Sequence, residues 1–240
     1  MRLLIDAGNT RIKWVLVAGD HWLRSGVLPT SRVGSLAQQL QEWTQVGELW
    51  VSNVAGEQVA QHIRQLPLLP DAEVHFLLAQ QSGCGVRNGY TNPGQLGSDR
   101  WAALVAAWHL VRKSCLVVNS GTATTIDALS EKGEFLGGLI VPGLDLMRQS
   151  LLAGTAQLQA ASGASALFPI NTADAICAGA LQASCGAIER QYQLLGNHAA
   201  VVLSGGGAVV LQENLKLPIR VVDNLVLQGL LLIAQEAGIK

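Results

Sequence analysis

Charge is scarce in this 240-residue chain: only 14% of its residues are Asp, Glu, Lys or Arg, and 16 bases nearly cancel 17 acids. No basic run accumulates, so the electrostatic footprint of nucleic-acid binding is missing and nucleic acid is not an expected partner. Cysteine is equally thin. Cys84, Cys115, Cys177 and Cys185 contain no CxxC pair, which argues against a disulfide framework or a zinc site and leaves reduced, mostly buried thiols. His21, His62, His75, His109 and His198 are scattered, with no pair at the spacing of a helical metal site. A long apolar run is lacking too. Mean hydropathy is +0.30 and no charge falls between Arg148 and Asp174, but that stretch is filled with Gln, Ser, Gly and Thr and broken by Pro169, unlike the ~20 apolar residues of a membrane span. The opening MRLLIDAGNT is too short in apolar residues for a secretion signal, so a cytoplasmic address without a membrane partner is expected.

What remains is a folded protein. A composition 49% hydrophobic excludes disorder, and the length suits one or two domains at ~100–200 residues each. Arg2–Ile5 and Ile12–Val17 read as strands around a glycine turn, Asp6 to Thr10, and a similar pattern returns at Cys115–Val118, with a turn from Asn119 and further strands at Thr124–Leu129 and Phe135–Val141. Two such turns suggest two related halves, divided near Ser114 into 1–113 and 114–240. In the first, Ser35–Val46 and Glu57–Gln65 read as helices around a strand at Glu48–Val54, and a helix over Ser98–Lys113 ends the half. In the second, Thr172–Leu195 predicts a long helix whose seam, Leu181, Cys185, Ile188, Tyr192 and Leu195, packs either inside the chain or on a second subunit. A strand at Ala199–Leu203, the Gly205-Gly-Gly loop and a helix from Val209 follow, an arrangement friendly to phosphate.

Three loops could carry chemistry. After the first strand, Gly8 admits a close backbone approach, Asn9, Thr10 and Lys13 can bind phosphate oxygens, and Asp6 can hold a water-shelled magnesium; the plain alternative is an Asn-capped β-turn. Asn119-Ser-Gly-Thr-Ala repeats the arrangement, and with Gly205-Gly-Gly the set has the order expected for an ATP site. Walker A, protein-kinase and GxGxxG loops are absent, and no serine nucleophile elbow or triad supports a hydrolase. At the start of the Ser98 helix, Asp99 and Arg100 are ordinary helix-start residues or a base and an anion-binding cation for a hydroxylated substrate, and both roles are compatible. Val86-Arg-Asn-Gly-Tyr90 is a loop that walls a pocket or plugs the surface.

The blocks DAGNTRIKW, GVRNGY, LGSDRWAALVAA, GTATTID, GGLIVPGLDLMRQSL, NTADAI and LSGGG, in this order and nearly along the whole chain, resemble type III pantothenate kinase. The resemblance implies an α/β fold of two duplicated ribonuclease-H-like domains, as in the actin-like ATPase superfamily, around an ATP cleft. It implies a homodimer that phosphorylates the terminal hydroxyl of pantothenate, the first step of coenzyme A synthesis, with magnesium and a monovalent cation, potassium or ammonium. By position, Asp6, Gly8, Asn9, Thr10, Lys13 and Thr122 would bind ATP, with Asp6 holding magnesium through water. Asp99 would be the general base, and Tyr90, Gly97, Ser98, Asp99 and Arg100 would form the pantothenate pocket. Thr172 would reach the substrate from the neighbouring subunit, and the long seam helix would belong to the dimer. One position departs from the pattern: the second loop of the family reads Asp-x-Gly-Thr, and here Asn119 stands at the acid, the monovalent-cation position. A rival reading follows from that loss alone, a non-catalytic or weakly active relative that binds ligand as an accessory protein.

Overall fold

The computed structural model describes residues 1–40, 45–154, 163–196 and 198–238. They form two units: Met1–Leu110 with Asn224–Lys240, and Val111–Asp223. In the first, β1 (Arg2–Ala7), β2 (Arg11–Ala18), β3 (His21–Pro29), β4 (Glu48–Asn53) and β5 (Glu73–Phe76) build one sheet in the order β3-β2-β1-β4-β5. The first three strands are antiparallel neighbours, and β4 and β5 continue from β1 in parallel. β1 is central, and Leu3, Leu4, Ile5 and Ala7 are all fully buried, which explains its unbroken apolar run. Leu3, Ile5 and Ala7 share one core with Ile12, Trp14 and Leu16 of β2 and Leu49 and Val51 of β4.

Helices complete the unit. The expected Ser35–Val46 helix is shorter than its pattern: a 3₁₀ segment occupies Thr30–Ser35, α1 covers only Leu36–Gln39, and 41–44 lie outside the described residues. α2 (Glu57–Arg64) buries Val59, Ala60 and Ile63. A short antiparallel pair, β6 (Ser82–Gly83) and β7 (Val86–Asn88), precedes α3 (Ser98–Val111), whose Ala- and Leu-rich run has high helix propensity and is buried from Arg100 to Trp108.

The second unit contains β8 (Cys115–Ser120), β9 (Ala123–Leu129), β10 (Glu134–Pro142), α4 (Leu144–Gly154), α5 (Thr172–Leu195), β11 (Ala200–Ser204), α6 (Ala208–Asn214) and β12 (Ile219–Val221). Its strands run β10-β9-β8-β11-β12, antiparallel up to β8 and parallel beyond, the same plan as β3-β2-β1-β4-β5. α5 begins at a reciprocal cap, in which Asn171 Oδ1 accepts from the Asp174 amide at 2.9 Å and Asn171 Nδ2 donates to Asp174 Oδ2 at 2.7 Å. Its seam lies inside its own unit: Leu181, Cys185, Ile188 and Tyr192 are buried in one core with Leu116, Val118, Ile126, Val201 and Leu203, and Leu195 packs against it. The face assigned to a dimer by resemblance is therefore spent on the β8–β9–β11 sheet.

The last helix, α7 (Leu225–Ala237), groups with the first unit, whereas the expected division had placed 114–240 together. Both Glu236 carboxylate oxygens accept the Cys84 amide at 3.0 Å, which fastens the helix to the β6–β7 hairpin. Apolar periodicity could not reveal this, because α7 is buried broadly, at Leu225, Val226, Leu227, Leu230 and Ala234.

Candidate active site

Within the first unit the site grows from the C-terminal end of β1. Asp6 stands opposite Lys13 across the β1–β2 ladder and opposite Ser52 across the parallel β1–β4 ladder. The connecting turn is closed by the Gly8 amide, which donates to the Arg11 carbonyl at 3.0 Å, and is anchored by Thr30 Oγ1, which donates to the Gly8 carbonyl at 2.7 Å. Asn9 and Thr10 sit exposed on that turn. Burial pushes the Asp6 carboxyl up to about 7; the negative charge of Asp99 adds to the rise and Lys13 opposes it. A carboxylate so placed gains most from a nearby cation.

Asp99 lies on the first turn of α3 and is also raised, mainly by desolvation, against hydrogen bonds from the Arg100 amide and its own amide and the charge of Arg100. Its Oδ1 accepts the Arg100 amide at 2.8 Å, so the helix-start role exists and it fixes the direction of the carboxylate. Gly97 is required by that geometry, since a Cβ there would stand 2.6 Å from Asp99 Oδ1. Ser98 is buried and its Oγ lies 2.9 Å from Ser52 Oγ, a hydroxyl pair that joins β4, beside Asp6, to the turn bearing Asp99. Arg100 is only 6% exposed, and its Nη1 donates to Tyr90 Oη at 2.9 Å. A buried guanidinium oriented by a phenol carries the charge and planar geometry that suit an anionic substrate group.

The second unit repeats the turn. Asn119 is the penultimate residue of β8, opposite Thr125 on β9 and Ser204 on β11. Gly205, at φ +96°, presses against this turn, and a Cβ on it would lie 2.8 Å from Asn119 Oδ1. The Gly207 amide donates to the Ser120 carbonyl at 3.1 Å, and the Gly143 amide to the Thr122 carbonyl at 2.9 Å. The Asn119 and Gly205 loops, separate in sequence, thus meet. Beside them is a cavity of about 390 Å³ lined by Ser120, Gly121, Arg148, Cys177, Gly206 and Gly207, among others. Arg148 reaches Cys177 Sγ at 3.7 Å and pairs with Asp145. Such a hollow, glycine-walled at a helix start, fits part of a nucleotide.

The structure brings Asp6, Lys13, Tyr90, Gly97, Ser98, Asp99 and Arg100 together in the first unit and places Asn119 and Thr122 on the second unit's turn. Thr172 is the exposed first residue of α5. Ser52 and Asn88 were missed. A serine inside the apolar run ELWVS, at its end nearest the turns, was the available signal for Ser52, whereas nothing distinguished Asn88 from other loop asparagines. Arg148 and Cys177 converge only through the packing of α4 on α5 and had no signal. No three His, Cys, Asp or Glu side chains gather into a metal cage among the described residues. The Asp6–Asp99 pair instead fits a hydrated ion accompanying a nucleotide.

Two α/β units with one strand plan, each with a glycine-bearing turn at the end of its central strand, have the duplicated fold of the actin-like ATPase class. The family model described as type III pantothenate kinase matches residues 2–194. A type III pantothenate kinase from Nitrosospira multiformis is 49% identical, over 98% of this chain and 92% of its own length. The chain belongs to the type III pantothenate kinase family. Among solved structures, a protein from Campylobacter jejuni named for the Baf family of transcriptional activators is 22% identical, covers 99% of this chain and 100% of its own, and superposes with a TM-score of 0.63. The activator of 2-hydroxyisocaproyl-CoA dehydratase from Clostridium difficile, solved with ADPNP, superposes at 0.56 with 13% identity, over 97% of this chain and 92% of its own. These two likenesses establish the fold alone.

Proposed function

We propose that the chain transfers the γ-phosphoryl group of ATP to the terminal hydroxyl of pantothenate, the opening step of coenzyme A synthesis. Family membership over almost the whole chain is the observation that carries this reading. The non-catalytic alternative is not favoured. Its sole support is Asn119, whereas Asp6, Asp99 and Arg100 are present in a connected arrangement.

Asp99 accepts the proton of the substrate hydroxyl, and its raised pKa brings it closer to a working pH than an ordinary carboxylate. Arg100, Tyr90, Gly97 and Ser98 form the pantothenate pocket, with Arg100 meeting the substrate carboxylate. Asn9, Thr10, Lys13 and Thr122 contact ATP phosphates, and Gly8 leaves the backbone accessible. Asp6 would hold magnesium through water, and the ion would supply positive charge to offset that of the phosphates. The transition state of phosphoryl transfer is loose, so these residues act chiefly by placing the groups in line and offsetting charge. Asn119 would offer potassium or ammonium a neutral amide oxygen, with less attraction than a carboxylate would supply there.

The active form is a homodimer in the cytoplasm. No described helix is long and apolar enough to cross a membrane. With the α5 seam internal, another surface must serve the dimer, and the second unit offers one. Leu167, Phe168 and Ile170 are 84%, 90% and 98% exposed, and Ile140 on β10 and Leu146 and Leu151 on α4 are exposed too. Thr172 follows this stretch and contributes to the partner's pocket. Thr172→Ala is expected to raise the KM for pantothenate, and mixed dimers with an Asp99 variant to regain partial activity; absence of complementation would place each pocket within one chain.

The decisive experiment is mass-spectrometric detection of phosphopantothenate from the purified protein with ATP, magnesium and pantothenate, in ammonium, potassium or neither. Product establishes the kinase. No product in any salt, from folded protein beside an active control enzyme, returns the accessory reading.

A further inference from the structure

Asn88 is one of the few polar side chains fully enclosed in the first unit, at 2% exposure, and no role in binding or catalysis falls to it above. It ends β7 inside a loop-rich stretch between β5 and α3, where little regular structure holds the backbone. Every polar group of its amide is engaged. Nδ2 donates to the Gln80 carbonyl and to the Pro93 carbonyl, each at 3.2 Å, and Oδ1 accepts the Tyr90 amide at 3.0 Å. Its backbone is tied as well: the Asn88 amide donates to the Gln81 carbonyl at 2.9 Å, and Gln81 Nε2 donates to the Asn88 carbonyl at 3.1 Å. One side chain therefore fastens the segment before β6, the turn after β7 and the Pro93 turn leading to Gly97.

The Tyr90 position set in this way has a consequence for Arg100. The Tyr90 hydroxyl accepts from Arg100 Nη1 at 2.9 Å, and the Arg100 guanidinium lies 5.7 Å from the Tyr90 ring centroid. The phenol is a hydrogen-bond partner of an enclosed cation, so displacing it removes a contact that orients the guanidinium. We infer that Asn88 is a positioning residue for substrate recognition: its amide locks the turn that holds Tyr90 against Arg100 and so sets the affinity for the carboxylate-bearing substrate. This rests on the pantothenate reading above. Aspartate would have the right shape and the wrong chemistry, since a carboxylate cannot donate to two carbonyls and would face them with negative charge.

The test is steady-state kinetics on the whole protein for Asn88→Ala, Asn88→Asp, Tyr90→Phe and the double variant Asn88→Ala/Tyr90→Phe, with thermal melting of each. Asn88→Ala is expected to raise the KM for pantothenate by about tenfold while the KM for ATP stays within about twofold, with Asn88→Asp worse still. Tyr90→Phe removes the hydroxyl that meets Arg100, keeps the ring, and should raise the same KM by a comparable factor. The double variant should then lose little beyond either single change, because both break one chain of contacts. A folded Asn88→Ala protein with unchanged KM for pantothenate, or a double variant whose losses multiply in full, would overturn the inference. So would a Tyr90→Phe protein with wild-type KM, which decides the matter even if the Asn88 variants fail to fold. A wild-type protein that never phosphorylates pantothenate would instead bring down the functional reading, and this inference with it.

Discussion

The two central hairpins occupy the same place in one strand plan and differ at one decisive atom. Asp6 and Asn119 are each the penultimate residue of a central strand, each flanked by an antiparallel partner, Lys13 or Thr125, and by a parallel serine, Ser52 or Ser204. The first position is a carboxylate beside a second carboxylate, Asp99, and burial drives its pKa to about 7. The second is a neutral amide against Gly205. Duplicated geometry with divided chemistry teaches that the fold supplies the turn and the local side chains supply its charge. Among the described residues, the carboxyl at a phosphate-type turn whose ionisation burial opposes is Asp6, in the first unit.

The hardest blow to that division is Asp99→Asn, which keeps the helix-start oxygen and removes the base. Turnover should fall ~10²–10⁴-fold with ATP affinity intact, measured by product formation and nucleotide titration. An unchanged rate would strip the first unit of its catalytic claim. Next in size is Asn119→Asp, which makes the second turn resemble the first. A restored unit charge near a monovalent ion is worth ~1–4 kcal/mol between water-like and surface dielectrics, so half-activation by potassium or ammonium should fall about fivefold or more. Equal cation dependence of both proteins would show that the amide already suffices.

Asp6→Asn makes the reverse exchange and tests the electrostatics without a ligand. Because the folded pKa of Asp6 lies above the ordinary value of 3.8, the folded state holds a proton that the unfolded chain has released between those limits. Stability of the nucleotide-free protein should therefore decline as pH rises from about 4 to 7 and level off above, by at most ~4 kcal/mol for this group. Asp6→Asn should flatten that slope in thermal melts across the interval, and an identical slope would mean that the carboxyl titrates normally.

Much of this was legible before the structure, and the reason is periodicity joined to local chemistry. The hairpins around Asp6 and Asn119, the strand at Glu48, and the helices at Glu57, Ser98 and Thr172 follow from apolar runs punctuated by glycine, and the structure has them. β3 escaped notice because its edge position leaves His21, Trp22, Leu23, Arg24 and Ser25 exposed, so no buried face marks it. The α5 seam was visible as a pattern, but a seam does not name its partner, and its own sheet claimed it. Long-range ties were the least readable. The Cys84 amide on Glu236, the Asn88 amide on three loop segments and Ser52 on Ser98 depend on the folded path, and no spacing announces them.

The smallest expected effect sharpens the comparison most finely. Ser52 stands beside Asp6 in register, is wholly buried, and shares a 2.9 Å hydroxyl contact with Ser98, the residue before Asp99. Ser52→Ala leaves Ser98 without that partner inside the protein, a loss of ~1–2 kcal/mol in unfolding free energy. If the pair only fills space, Ser52→Cys, close in size but a poor hydrogen-bonding partner, should restore both stability and turnover. If it aims the Asp99 turn relative to Asp6, turnover should fall severalfold in Ser52→Ala and Ser52→Cys alike, with ATP binding preserved, while the fold tolerates both. Ser98→Ala should then reproduce the kinetic loss, and combining it with Ser52→Ala should add little, because the buried contact is already gone after either change. The corresponding serine of the second unit, Ser204, adjoins a turn with no carboxylate to aim. Its alanine variant should leave the general-base step untouched, so a matched loss of turnover there would break the division of labour between the two turns.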